Sequence, residues 1–324
     1  MTGFVFHLPG SVLADLSDLK PYYKKLADGL AARGHVVDLV PHNRDSVLAQ
    51  VAASDRFHIV DHGTARHPRV LNTGIAYVYP FWNLDAWGIR ALSSIAEKPF
   101  DYNEVDITTA RNFANRLRKR WVVARMSRYP QPTRLTVIPA DCIAIFLQAE
   151  GNRDVMETSH LDLRQMVKAV LARPDPHPIV IKPHPLDDDA ATKRFLNRIA
   201  ARDARVRVVD ANIHDILSRA AACVTINSAV GIEAMLHNVP VILCGKSDFH
   251  HAAVTVTDPG GMDAAVDLAI STDWPHDAFL HWYFMQNCLS AGRDSLVDDF
   301  LAKVAATGFD IASASQTGPL TAAG

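Results

Sequence analysis

Two short stretches in the second half of the chain set anion-binding residues where a ligand could reach them. VIKPHP, residues 180–185, puts Lys182 and His184 at the end of an apolar run, in a turn stiffened by two prolines. Lysine offers a point charge and imidazole a ring donor, a combination suited to phosphate. A rigid turn with a surface lysine would look the same in isolation. Further on, CVTINSAVGIEAML runs from an apolar stretch through Asn227 and Ser228 into a helical pattern. The start of a helix presents unbonded N–H groups and the positive end of the dipole, both attractive to phosphate. Gly231 lets that helix lie close to a sheet, and Glu233 can accept bonds from ribose hydroxyls. A serine that merely caps the helix is the plainer account of Ser228. Both motifs in neighbouring strand–helix units say more than either alone.

The first half offers carboxylates. RFHIVDHG reads as a strand that ends at Asp61 and His62. If phosphate leaves at the other site, a carboxylate here suits the base of an inverting sugar transfer or the nucleophile of a retaining one. Asp85 is the second choice, and His62 and Arg66 suit an acceptor or the carboxylate of an acidic donor sugar. An Asx-type turn explains Asp61-His62-Gly63 as well. The segment from Arg66 to Ile89 follows no single period and is rich in aromatic residues, which fits a loop packed down by its rings or a sugar platform.

These residues need elements to hold them. GFVFHL, HVVDLVP and RFHIVDHG alternate with helical patterns, the beginning of a parallel doubly wound sheet. A proline-punctuated stretch near 129–140 reads as a linker. After it CIAIFLQ, HPIVIK, RVRVVD, CVTIN and VPVILC alternate with helices as a second such sheet. The expected division is a lobe over 1–135, a nucleotide-binding lobe over 136–275, a helical region over 276–306 that could return to the first lobe, and a disordered tail over 307–324. A basic helical stretch over 104–128 reads as a solvated face that would also suit an anionic membrane surface.

The totals agree with such a protein. At 324 residues, 48% hydrophobic, 21% charged and net −2, the chain has no electrostatic bias toward nucleic acid. Cys142, Cys223, Cys244 and Cys288 are widely spaced, as expected of buried reduced thiols rather than a metal or disulfide framework. No apolar run approaches the roughly 20 residues that cross a bilayer, and MTGFVFHLPG lacks the features of a signal peptide. The expectation is a cytoplasmic protein able to lie peripheral to the inner membrane.

The pairing of K-P-H-P with N-S-A-V-G-I-E-A and P-V-I-L-C-G resembles the capsular polysaccharide synthesis glycosyltransferases, especially the β-Kdo transferases. FLQAEGNRDV, residues 146–155, is similar to a segment of their nucleotide lobe. The resemblance is clear over roughly residues 142–246 and implies a GT-B architecture, α/β with two Rossmann-like doubly wound lobes facing a cleft. It implies a CMP-activated donor, Kdo or a related acidic sugar, and a capsular glycan or glycolipid acceptor, with no metal and no cofactor. It assigns His184 and Ser228 to the CMP phosphate, Glu233 to the ribose, and Gln148 and Asp154 to the cleft, and it leans toward retention. The first half departs from it: Val60 to Arg66 stand where the family has an acidic pair, Gly-Phe and then an arginine near a serine. Past residue 246 the chain also lacks the family's Tyr-x-x-x-Gly run.

Rival readings are a metal-dependent hydrolase, drawing on Asp61-His62-Gly63, His184, and the run Asp187 to Asp189 or the pair His250-His251, and a silent or epimerase-type nucleotide-sugar-binding protein of the same fold. The acidic run is better explained as a helix N-terminus.

Overall fold

The computed structural model describes residues 3–149 and 158–311. The chain forms two compact units, Met1–Lys98 with Phe284–Gly324, and Pro99–Tyr283. The linker expected near 129–140 therefore falls inside the second unit. The reason is the basic helix, Ile107–Arg118, which buries Ala110, Phe113, Ala114 and Leu117. Its Arg118 donates to the Leu236 carbonyl at 2.8 Å and pairs with Asp277 at 2.5 Å, so part of its charge is structural. The expected helical region 276–306 is divided, since residues from 284 onward belong to the first unit.

The first unit contains β1 (Gly3–Leu8), β2 (Val36–Pro41), β3 (Phe57–Asp61), β4 (Val70–Ile75), β5 (Phe81–Asp85) and, far along the chain, β12 (Leu289–Ser290). They lie in the order β12-β5-β4-β3-β1-β2, with β1 to β4 parallel and β5 antiparallel to both its neighbours. Every residue of β1 and β3 is buried, as a parallel strand covered on both faces requires. Helices α1 (Gly10–Ala14), α2 (Pro21–Ala31), α3 (Val47–Ala52) and α11 (Leu296–Ala305) flank the sheet. Pro21 opens α2 where its missing N–H costs nothing, and Gly34, at φ +84°, closes it.

The aromatic segment 66–89 is not a loop: it supplies β4 and β5, joined through residues 76–80. Both faces of these strands are covered, so period-two alternation is lost. Its rings serve the core, with Trp82 stacked on Tyr22 at 4.1 Å and Phe81 against Phe284 at 4.6 Å.

The second unit holds β6 (Cys142–Phe146), β7 (Ile179–Lys182), β8 (Val206–Val208), β9 (Ala220–Thr225), β10 (Val241–Leu243) and β11 (Val254–Thr255), all parallel, in the order β11-β10-β9-β6-β7-β8. Around it lie α4 (Ile107–Arg118), α5 (Leu163–Leu171), α6 (Ala190–Arg202), α7 (Ile213–Leu217), α8 (Val230–Leu236), α9 (Met262–Ser271) and α10 (His276–His281). The strand order reverses direction between β6 and β9, which makes their carboxyl ends the switch point where ligands of such sheets bind. All four cysteines are free and buried. Burial pushes the Cys142 thiol up to about 11 and that of Cys244 up to about 12.

Candidate functional site

Three segments meet at the carboxyl ends of β7, β6 and β9. The loop after β6 turns Gln148 inward, where its Oε1 accepts the Asn227 N–H at 2.8 Å and its Nε2 donates to Asn227 Oδ1 at 3.1 Å. The Asn227 amide also donates to Thr158 Oγ1 at 3.2 Å and to the Lys246 carbonyl at 3.0 Å. Gln148 and Asn227, both buried, thus brace the switch point instead of presenting donors to a ligand. Lys182 ends β7 with its ammonium 3.3 Å from Asp210, and its stem is buried. Asp154 lies outside the described residues.

His184 follows in the next loop. Its Nδ1 accepts the Leu186 N–H at 3.2 Å, which leaves the ring proton of the neutral form on Nε2. Ser228 precedes α8, and its Oγ accepts the Val230 N–H at 3.4 Å, a long bond for a cap. Glu233, inside α8, is buried and accepts a hydrogen bond from Ser127; burial pushes its carboxyl up to about 8 against that bond.

Sequence reading missed the third wall, residues 124–133, taken there for the end of a basic helix and the start of a linker. Tyr129 meets the His184 ring edge-on at 5.1 Å, while Ser127, two residues earlier, bonds Glu233. Two residues of chain span at most about 7 Å, so the His184 loop and α8 are drawn to one stretch of backbone. That stretch is fixed from behind by α7. Arg125 pairs with both oxygens of Asp215 at 2.6 and 3.2 Å, the Asn212 amide donates to the Pro132 carbonyl at 3.2 Å, and Gln131 Oε1 accepts the Ile213 N–H at 3.3 Å. His214 Nε2 donates to the Met126 carbonyl at 2.7 Å, so its Nδ1 accepts from His237 Nε2 at 2.9 Å. The segment and Asn212 line a pocket of about 590 Å³, a size that suits a small ligand.

Residues 111–265 match the capsule polysaccharide biosynthesis protein family. The match spans the missed wall together with both motifs. Among curated proteins none matches the chain. Of solved structures, the β-Kdo 2,7 transferase KpsC of Thermosulfurimonas dismutans is similar, at 15% identity and TM-score 0.51 over 88% of this chain and 100% of that one. The β-Kdo 2,4 transferase KpsC of the same organism aligns at 16% identity and TM-score 0.47, covering 81% and 89%. The fold is the α/β arrangement of GT-B glycosyltransferases, with two mostly parallel sheets.

In the first unit the carboxyl ends of β2 and β3 gather a second cluster. Asp61 is buried and accepts hydrogen bonds from the Tyr23 hydroxyl and, at 3.0 Å, from His62 Nδ1. Burial alone would raise its carboxyl; the bonds from His62 and Tyr23 and the charge of Lys20 bring it below the usual carboxylate range. His42, just past β2, faces the same carboxylate, and its own pKa is lowered, first by burial and then by Arg44. His62 holds a left-handed φ of +51°, a conformation that favours glycine. Tyr23, Lys20 and His42 were not singled out in the sequence; only the three-dimensional neighbourhood of Asp61 identifies them.

Asp85 is different. Its Oδ1 accepts the N–H groups of Trp87, Gly88 and Ser94 at 2.8, 3.3 and 3.0 Å, and its Oδ2 the Ser94 hydroxyl at 2.5 Å. A carboxylate so committed holds a turn, which leaves Asp61 as the first unit's candidate for chemistry. Arg66 stacks on Trp87 at 4.8 Å in a pocket that includes neither Asp61 nor His62.

Some of the groups behind the metal-hydrolase reading have structural partners. His250 and His251 stack on each other at 4.1 Å, and Asp189 caps α6 through the N–H groups of Ala191 and Thr192. Among the described residues no three His, Cys, Asp or Glu side chains converge on a point, and no helix is long and apolar enough to cross a membrane.

Proposed function

We propose that this chain is a glycosyltransferase that takes Kdo or a related acidic sugar from a CMP-activated donor and places it on a capsular glycan or glycolipid. The observation that carries this is the meeting, at the switch point, of the 124–133 stretch with the His184 loop and with α8, through Tyr129 and Ser127, inside the segment matched to the capsule family. A donor phosphate there meets His184 Nε2–H and the Ser228 hydroxyl, and the neutral Glu233 suits a ribose hydroxyl better than a charged group would. Lys182, already near Asp210, contributes its field more than a direct bond.

For the chemical step the low pKa of Asp61 favours a nucleophile over a base, because a weakly basic carboxylate is a poor proton acceptor near neutrality. As a nucleophile such a carboxylate would displace CMP from the anomeric carbon, and an acceptor hydroxyl, giving up its proton to solvent, would then displace the carboxylate, with net retention.

A thermal-shift series with CMP, UDP, GDP and ADP tests the donor assignment. CMP should raise the melting temperature and the others should not; an equal response to all four, or to none, removes it. Asp61→Asn separates a transferase from a silent binder, since it should abolish transfer and leave the CMP response intact.

A further inference from the structure

The pocket that holds Arg66 calls for a ligand of its own. It encloses about 530 Å³ within the first unit. Its lining comes from the residues just before β4 (Arg66 to Pro68), just after β5 (Ala86 and Trp87), and the end of α11 (Lys303 to Thr307), with Lys98 beside them. Because β5 runs antiparallel to β4, these positions lie toward the end of the sheet where β4 begins. Asp61 pairs with Thr73 and Asp85 with Asn72, so it is the residues beyond Asp85 and those before Val70 that carry the pocket away from Asp61.

The charges are unbalanced. Among the described residues that line it, three cations, Arg66, Lys98 and Lys303, accompany one carboxylate, Asp85, whose oxygens already accept three backbone N–H groups and a hydroxyl. Asn287 draws two of the cations together: its side-chain oxygen accepts from Lys98 at 2.8 Å and its carbonyl from Lys303 at 3.4 Å. Burial lowers the Lys303 pKa and the charge of Lys98 lowers it further, while Cys288 and Asp85 act the other way. Fixing two ammonium groups on one residue costs energy that an anion between them would return. The guanidinium of Arg66 is already oriented by the face of Trp87. Leu71 and Leu84 give the pocket an apolar floor, which a bare ion would not need.

We propose that the first unit carries a second binding site, apart from the Asp61 end, for a sugar ring bearing a carboxylate or a phosphate. The inference stands on this pocket alone and does not depend on sugar transfer.

Calorimetry on the full chain tests it, with glucuronate, glucose 1-phosphate, inorganic phosphate and neutral methyl glucoside as probes. Both sugar anions should bind, more weakly as salt is raised. Arg66→Ala and Lys303→Met should each weaken them about tenfold or more, the loss of one charge-assisted bond. Arg66 is exposed on a loop, so its variant decides the matter should Lys303→Met fail to fold. Binding unchanged in Arg66→Ala, no binding by either sugar anion, or inorganic phosphate binding as tightly as the sugar anions would each overturn the proposal, the last by reducing the pocket to an ion site.

Discussion

Glu233→Gln should make the protein less sensitive to alkaline pH. Glu233 is 4% exposed, and burial raises its carboxyl from 4.5 to about 8. Between those values the folded chain keeps a proton that the unfolded chain has lost, so stability falls as pH rises. The contribution is complete below 4.5, declines through the window and is gone above about 8. Each pH unit inside it removes about 1.4 kcal/mol, so from about pH 5 to pH 8 the wild type should lose about 4 kcal/mol that the variant keeps. Glutamine preserves volume and an oxygen for the Ser127 hydroxyl, so no cavity confuses the comparison. Urea unfolding followed by tryptophan fluorescence at a series of pH values gives both curves. Their difference should grow steadily across the window and flatten beyond it. Parallel curves would mean that Glu233 is ionised in the fold and that the neutral ribose partner assigned to it does not exist.

Other outcomes follow from the same contacts. His184→Ala removes one ring donor to an anion and should weaken CMP binding by about ten- to a hundredfold, read by calorimetry, with little change in melting temperature. Tyr23→Phe removes a hydrogen bond that lowers the Asp61 pKa, so the acidic limb of the pH–rate profile should move up; an unmoved limb would separate Asp61 from the reaction. His7, His58 and His276 are buried with pKa values lowered to about 4, chiefly by burial. Stability should therefore be full above pH 6.5 and fall toward pH 4, by up to roughly 3 kcal/mol for each histidine, with protons taken up on unfolding in calorimetry at low pH.

The sequence carried most of the architecture because buried parallel strands are continuous apolar runs, and CIAIFLQ, HPIVIK and CVTIN could hardly be anything else. What it hid was tertiary. Residues 129–133 look like a linker, and Arg125 before them like the end of a solvated helix, because the prolines are local and the contacts that fix the stretch, from Asn212, Ile213 and Asp215, belong to a helix some distance along the chain. The hairpin of β4 and β5 was hidden by burial on both faces, with Asn72, Thr73, Asn83 and Asp85 among its rings.

The candidate site divides along the same line. Residue type and spacing selected His184, Ser228 and Asp61, whose chemistry depends mainly on lying at the carboxyl end of a strand. The same criteria selected Gln148, Asn227 and Asp85, because a side chain that braces a loop must also be polar and also sit at a strand end. Only the partners separate the two groups: Asn227 and Asp85 already make three or more hydrogen bonds inside their own unit, whereas His184 has its Nδ1 fixed by Leu186 and its proton on the other nitrogen. An imidazole held at Nδ1 has one orientation and carries its proton on Nε2, the tautomer a phosphate-binding residue needs. Substituting Asn227 should therefore cost folding stability before it costs ligand affinity, and substituting His184 should do the reverse.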